Sequence, residues 1–389
     1  MAGSKINQHF DQYVLRGKLR QEGFERWRYS FSAFNRETSQ EKNFYVELYI
    51  VNPGISPKVA VIGQKSRLAH SEADLQYALA GTTAAKTANE EIAVRPSYVL
   101  VKAGVYGGDG IQLNKFIPSS QFTFIRNIGS FKAGECIFGS NAITGRIEVS
   151  QQDLRVKPEL LCDCGSMDWE LKFDRQIAGA PAYHEKDEFW APFGVKTVYS
   201  GIIHLNGQEY VITPKIADGY SDKSWGTALP ADYFHISSAR MVSIISGKPL
   251  LNSCFAIGGK FNGKLCGVLN LEQNSFEIKE KKHFGKCSVI HDCTQVPGTE
   301  GDEKVHWTVS VHKGRFVVDI DVFCKGNGLS VRDYEIPQGE RTLLKILGSG
   351  SGTGEIRVYK KTGKNLELLE HANIYGAVCE FGQNEVVGK

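Results

Sequence analysis

The sequence predicts an all-β protein made of two antiparallel domains, and three observations carry that expectation. Glycine occupies 41 of 389 positions and aromatic residues make up 11% of the chain, a composition of many turns and many rings that suits sheets better than helix bundles. Runs of four to ten β-branched and aromatic residues, bounded by Gly, Asn, Asp or Pro, recur from one end to the other. Several of these runs are joined by links too short to serve parallel strands. The length is about 2.6 times a typical 150-residue domain, which favours two domains over one.

In chain order the strand-like runs are 26–34, 44–51, 98–103, 122–125, 143–149, 167–173, 196–205, 210–214, 233–239, 253–259, 265–271, 287–291, 305–312, 315–323, 342–347, 355–359 and 375–381. Hairpin turns are explicit at Asn206-Gly207, Asn262-Gly263 and Lys313-Gly314, where glycine supplies positive φ at little cost. One segment departs from the pattern. Ser71 is a plausible N-cap, Asp74 follows three residues on, and Leu75, Ala78 and Leu79 share one helical stripe closed by Gly81, so a short inserted helix is expected over 71–81. Residues 82–92 are poor in bulky side chains and read as a surface excursion between strands. Gly247 and Pro249 suggest a boundary, giving domains 1–246 and 247–389, and the strand spacing of the second matches a lipocalin-sized barrel. The Gly348–Gly354 stretch, GSGSGTG, reads as a flexible hairpin loop, since no Lys-Ser/Thr and no helix follow it.

Composition also limits function. A net charge of +3 from 46 basic and 43 acidic residues, with no basic run that could track a phosphate backbone, argues against nucleic acid as a partner. Neither a signal-type apolar segment at the N-terminus nor a run of about 18 apolar residues is present, so no integral membrane segment is expected, although transient membrane contact for substrate uptake is compatible with the chain. Nine cysteines and no N-x-[ST] acceptor favour a reducing, cytoplasmic compartment with free thiols. Cys287, His291 and Cys293 share one strand face but lack a fourth ligand. Gly104–Gly110 leads to no helix, and no Gly-x-Ser-x-Gly elbow occurs. No metal and no cofactor are expected.

The most unusual string is Gly219-Tyr220-Ser221-Asp222-Lys223-Ser224-Trp225-Gly226, a carboxylic acid between two large rings. Buried in an apolar cavity, Asp222 would have its pKa raised and would carry a proton to donate. Alternatively, it hydrogen-bonds its own turn while Tyr220 and Trp225 fill a core. Early in the chain, alternation places Glu25, Trp27, Tyr29 and Phe31 on one strand face and Arg26, Arg28, Ser30 and Ser32 on the other. Glu25 is therefore either a second acid facing the apolar side or a buried acceptor for a Tyr or Trp.

Three strings carry a resemblance. Tyr220-Ser221-Asp222-Lys223-Ser224-Trp225-Gly226 resembles the Tyr-Ser-Glu-Lys-Asn-Trp-Gly signature of tocopherol cyclases and, more loosely, the Asp-x-x-Trp-Gly region of carotenoid 1,2-hydratases. Phe24-Glu25-Arg26-Trp27-Arg28-Tyr29 resembles their opening Phe-Glu-Gly-Trp-Tyr string. The segment from Gly201 to Tyr210 looks like their Gly-x-Ile-x-x-(Asp/Asn)-Gly-x-x-Tyr hairpin. The resemblance implies two lipocalin-like, calycin-type β domains with a ligand cavity near their junction. It also implies protonation of an isoprenoid or similar polyene, followed by capture of the cation by a phenol (cyclisation) or by water (hydration).

Asp222 would be the acid and Glu25 a second candidate, with Tyr220, Trp225, Trp27, Tyr29, His204, Tyr210 and His235 lining the pocket. Such chemistry asks for aromatic faces around a cation and an acid kept neutral by its surroundings. Where family members carry a His-Trp pair this chain reads Phe189-Trp190, so a relay histidine would move to His184, His204 or His235. The expected activity is a cyclase (isomerase) or hydratase (lyase) acting on a hydrophobic small molecule. The alternatives are a carrier that binds such a ligand without chemistry and an enzyme that only shapes a reactive polyene.

Overall fold

The computed structural model describes residues 12–63, 94–125, 129–179, 181–214, 218–229, 232–272, 274–279, 287–298, 303–340 and 342–386. The helix expected over 71–81 and the excursion over 82–92 lie outside these residues. Every strand pair between the described strands is antiparallel, and the strands form two sheets.

In the first sheet the order is Ile111–Ile117, Tyr98–Tyr106, Glu41–Val51 and Phe24–Asn35, then a position shared end to end by Gln208–Ile212 and Asp218–Gly226. It continues through Glu188–Leu205, Gly165–Ile177, Ala142–Val149, Cys136–Phe138, Ser130–Ala133 and Phe122–Ile125. One face of nearly all these strands feeds a single buried cluster, which includes Trp27, Phe44, Phe131, Trp169, Phe193 and Tyr199. A flat sheet could not bring such distant strands onto one core, so the sheet is rolled into a barrel whose interior is filled by rings. The hairpin at Asn206-Gly207 has φ of 51° and 81°, the paired left-handed conformation that a two-residue turn between twisted strands requires.

The second sheet runs Asn274–Lys279, Leu265–Leu271, Cys254–Lys260, Tyr233–Ser238, Asn365–Val386, Thr342–Thr362, Phe316–Lys325, Lys304–Lys313 and Cys287–Val296, with Ser330–Glu335 pairing the first part of Thr342–Thr362. It encloses its own core, including Phe255, Trp307, Ile320 and Ile374. Because Tyr233–Ser238 pairs with Cys254–Lys260 and with Asn365–Val386, the chain changes sheets between Gly226 and Tyr233, ahead of the Gly247 boundary expected from sequence. Gly247, at φ 69°, instead closes a tight turn in which Ser243 N–H bonds Lys248 O. The Gly-Pro signal there marks a turn inside the second barrel.

The Gly348–Gly354 stretch is likewise not a loop. It lies within the Thr342–Thr362 strand, with register shifts between Ser349 and Gly352 and between Gly352 and Gly354. A Cβ at Gly354 would stand 1.8 Å from Asp321 O, and one at Gly350 would stand 2.6 Å from the Tyr106 ring. The glycines let a bulged strand pass close to its neighbours. Short helices occur at Leu19–Glu22 and Gln151–Val156, the latter opened by a reciprocal Ser150–Asp153 capping box. No helix among the described residues is long and apolar enough to cross a membrane.

The outer face of the first barrel packs on the second through a third apolar cluster that includes Phe24, Tyr49, Trp190, Tyr233, Tyr334 and Ile346. Both faces of the Phe24–Asn35 strand are therefore covered, one by its own core and one by the other barrel.

Candidate active site between the two barrels

Strand parity distributes the sequence-predicted residues. Asp218–Gly226 pairs with Phe24–Asn35 in the register Glu25↔Trp225, Trp27↔Lys223, Arg28↔Asp222 and Ser30↔Tyr220. The motifs do meet as neighbouring strands, but alternation divides them between the two faces. Tyr220, Asp222 and Ser224 share the barrel interface with Arg26 and Arg28, whereas Lys223 and Trp225 share the first barrel's interior with Glu25, Trp27 and Tyr29.

On the interface face Asp222 is fully buried. Its Oδ1 accepts from Arg28 Nε at 3.2 Å, and its Oδ2 accepts from Trp190 Nε1 at 3.0 Å, from the Tyr220 hydroxyl at 3.2 Å and from Arg28 Nη2. Burial alone would push this carboxyl up, but the charges of Arg28 and Arg26 outweigh it and hold the carboxyl below its ordinary range. The expected proton-holding acid is thus an ionised acceptor with four donors, the arrangement that stabilises a carboxylate. It binds neighbouring strands rather than its own turn.

Behind it His235, also fully buried, approaches the Tyr220 hydroxyl with Nε2 at 3.1 Å, and its Nδ1 lies 3.2 Å from Glu380 Oε2 and 3.3 Å from Arg28 Nη2. Burial, and then the Arg28 charge, lower the His235 pKa, so the ring is neutral at pH 7. Burial and the Asp222 charge raise the Tyr220 hydroxyl well above its ordinary value.

Glu380 ties the two barrels together through ion pairs with Arg28 of the first and Arg332 of the second. Burial opposes its charge, but these two guanidinium groups pull its carboxyl well below the usual range. Arg332 also reaches Glu47 at 2.5 Å, and Glu47 accepts from the Tyr334 hydroxyl. A buried pair of this kind holds only when every charge is matched.

The remaining predicted residues stand elsewhere. Glu25, inside the first barrel, accepts from Trp27 Nε1 at 2.9 Å and from Val14 N–H at 2.9 Å, and it pairs with Lys223 at 2.7 Å. That makes it a buried acceptor for a tryptophan and the ion-pair partner of Lys223. Trp27 packs on Phe131 and Phe193, Tyr29 on Phe138 and Phe173, and Tyr210 on Phe44. Trp225 stacks on Phe189. His204 pairs with Asp168 at 2.8 Å on a half-exposed surface, and the exposed His184 bonds Lys186 O at 2.9 Å. Of the predicted set, Tyr220, Asp222 and His235 converge. Trp190, Arg28, Arg332, Glu47 and Glu380 complete the cluster without having been singled out.

A small crevice of about 30 Å³ opens between the barrels, lined by Ser30, Ser32, Tyr106, Tyr220, Ser237 and the backbone of Gly350 and Gly376 among others. Tyr220 thus belongs to both the crevice and the buried network. Its hydroxyl has two self-consistent arrangements. It donates to Asp222 while His235 Nε2–H donates to it, or it donates to a His235 whose Nδ1–H faces Glu380. The two differ in the imidazole tautomer and in the direction of the tyrosine O–H, and only the second turns a proton-accepting ring nitrogen towards the hydroxyl.

No family model and no curated protein match the chain. Three solved structures are similar to it at 10% identity. One, assigned as an AttH from Nitrosomonas europaea, has a TM-score of 0.40 over 90% of this chain and 92% of that chain. Kievitone hydratase from Nectria haematococca follows at 0.37 over 94% and 92%. A DUF3598-family protein of unknown function from Nostoc punctiforme reaches 0.13 over 93% and 96%. Similarity this distant assigns no chemistry to the chain, whose all-β, two-barrel architecture stands on its own strand pairing.

Proposed function

We propose that the chain is an acid–base enzyme that adds a hydroxyl group across an activated double bond of a small molecule, either from water (a hydratase) or from within the substrate (a cyclase). The observation that carries this reading is Tyr220, which lines the crevice and whose hydroxyl is bonded to both Asp222 and His235. A neutral imidazole behind a tyrosine is a base with a shuttle. As water or a substrate hydroxyl attacks, its proton passes to Tyr220 oxygen while the tyrosine proton passes to His235 Nε2, and Glu380 balances the resulting imidazolium. The same path then returns the proton to the substrate carbon, so one H and one OR group are added and His235 ends neutral.

Asp222 takes the place of an orienting carboxylate and not of the acid, because Arg28 and Trp190 already occupy it. A lipocalin-type carrier role inside the first barrel is disfavoured by the rings that fill that interior.

The test is to incubate the protein with a metabolite extract in H₂¹⁸O and to follow masses. A hydratase yields a product 20 Da heavier than its substrate, a cyclase yields an isomer, and a carrier co-purifies with an unchanged ligand. Tyr220→Phe should abolish either product. A product formed at the wild-type rate by that variant refutes the assignment.

A further inference from the structure

Arg26 is fully buried at the barrel interface, and none of its three guanidinium nitrogens has a hydrogen-bond partner among the described residues. Its Cζ lies 5.6 Å from the centroid of the Tyr233 ring and 5.5 Å from that of Tyr334. Two further donors at this place are also unsatisfied. Ser224, the cross-strand partner of Arg26, is fully buried with its Oγ unbonded, and the Tyr233 hydroxyl is unbonded as well. The carboxylates of the cluster cannot fill the gap. Asp222 is taken by Arg28, Glu47 by Arg332, and Glu380 by both. Asp222 and Glu47 support the Arg26 charge through space but offer it no hydrogen bond. An unpaired buried guanidinium is costly, and native interiors do not leave one uncompensated.

We propose that Arg26, Ser224 and Tyr233 form a binding site for a small carboxylate, held between the Tyr233 and Tyr334 rings. The guanidinium and the neighbouring Ser224 and Tyr233 hydroxyls all lack a partner among the described residues, and a guanidinium can only donate, so the missing partner supplies acceptor oxygens. A planar carboxylate matches the guanidinium fork in a bidentate, charge-assisted pair. The site stands on Arg26, Ser224 and Tyr233, and it does not depend on the Tyr220 chemistry proposed above.

The test uses the full chain and sodium acetate as the probe. Thermal unfolding midpoints are recorded from 0 to about 100 mM acetate at constant ionic strength set with choline chloride, since a ligand that binds only the folded state raises the midpoint by mass action. A saturable rise is expected for the wild type. Arg26→Met should fold, because an apolar side chain of similar volume replaces an unpaired charge, and it should lose the acetate response while gaining stability in acetate-free buffer. The double variant Ser224→Ala/Tyr233→Phe removes two donors and keeps the cation, and several-fold weaker acetate binding is expected. If Arg26→Met does not fold, this variant decides the matter. An acetate response that is absent from the wild type, unchanged in either variant, or matched by choline chloride alone overturns the carboxylate site. None of these results bears on turnover by Tyr220, which the isotope experiment reads separately.

Discussion

Arg28 and Glu380 lie 352 positions apart and form an ion pair across the junction of the two barrels, with no exposure of either side chain to solvent. Arg28 is also the partner of Asp222 on the neighbouring strand, and Glu380 is also the partner of Arg332. Removing Glu380 would therefore strand two buried cations at once. Breaking a buried pair by deleting one partner costs about 3–5 kcal/mol, so Glu380→Ala should lose at least that much in urea unfolding. The loss should be accompanied by a separation of the unfolding of the two barrels. A cost below about 1 kcal/mol would mean that the pair is wet and the junction loose.

Lys102 should behave in the opposite sense. It is fully buried beneath the Tyr334 ring, 4.9 Å from its centroid, and its Nζ donates to Asp333 O at 3.3 Å. Burial lowers its pKa from 10.5 to about 8, with Glu47 and Asp333 only partly restoring it. Between these two values the unfolded chain binds more protons than the folded one, so stability rises as pH climbs from about 8 towards 10.5. Below pH 8 the charged lysine weakens the fold by up to about 3 kcal/mol at 1.36 kcal/mol per pKa unit. Lys102→Met should raise the unfolding midpoint at pH 7, and the gain should shrink by pH 9.5. A variant less stable than the wild type at pH 7 would contradict this account.

These charged groups explain what the sequence could and could not disclose. Strand positions and antiparallel hairpins follow from local signals, as the Asn206-Gly207 turn illustrates, and alternation correctly separated Glu25, Trp27 and Tyr29 from Arg26 and Arg28. What alternation could not reveal is that the arginine face is buried too. A strand with charges on one side ordinarily borders water, and the second barrel that covers Arg26 and Arg28 is built from residues more than 200 positions later. Asp222 was legible as buried between polar rings. Its ionisation was not, because that depends on Arg28, Trp190 and His235 arriving from other elements. The sheet change before Tyr233 carries no turn signal stronger than the one at Gly247, so local signals do not place it.

Acid should destabilise the protein in a defined order. His235, lowered by burial, stays neutral when folded while the unfolded chain takes up a proton below its ordinary value of about 6.5, so stability first declines as pH falls past that point. Asp222 and Glu380, held below their ordinary values by arginines, contribute stability that is fully present above about pH 4 to 4.5 and is lost as pH falls through their folded values. Urea midpoints measured from pH 7 to 3 should fall throughout that range. The difference between wild type and Glu380→Gln should be largest above pH 5 and narrow at pH 3. A difference that grows on acidification would show that Glu380 is protonated in the native state.

The pH dependence of turnover distinguishes the base mechanism from one that needs a protonated carboxylic acid. His235 is the titrating base, and the charged or ionisable groups facing it are Arg28, Asp222 and Tyr220 from the first barrel and Glu380 and Tyr233 from the second. Burial and the Arg28 charge place its pKa below the ordinary value. The rate constant for product formation at low substrate should rise as pH climbs through that lowered value and should be flat through pH 7. A neutral Asp222 acting as the acid would give the reverse slope, with the rate falling as pH rises. His235→Gln keeps a hydrogen-bonding group near Tyr220 but removes the base, so it should lower the rate at least about 100-fold, the lower end of what a positioned general base contributes. Binding of the substrate should change little, because the imidazole lies behind Tyr220 and not in the crevice. A rate that falls between pH 6 and 8, or that survives His235→Gln, would return the proton-donor role to a carboxyl group and remove His235 from the chemistry.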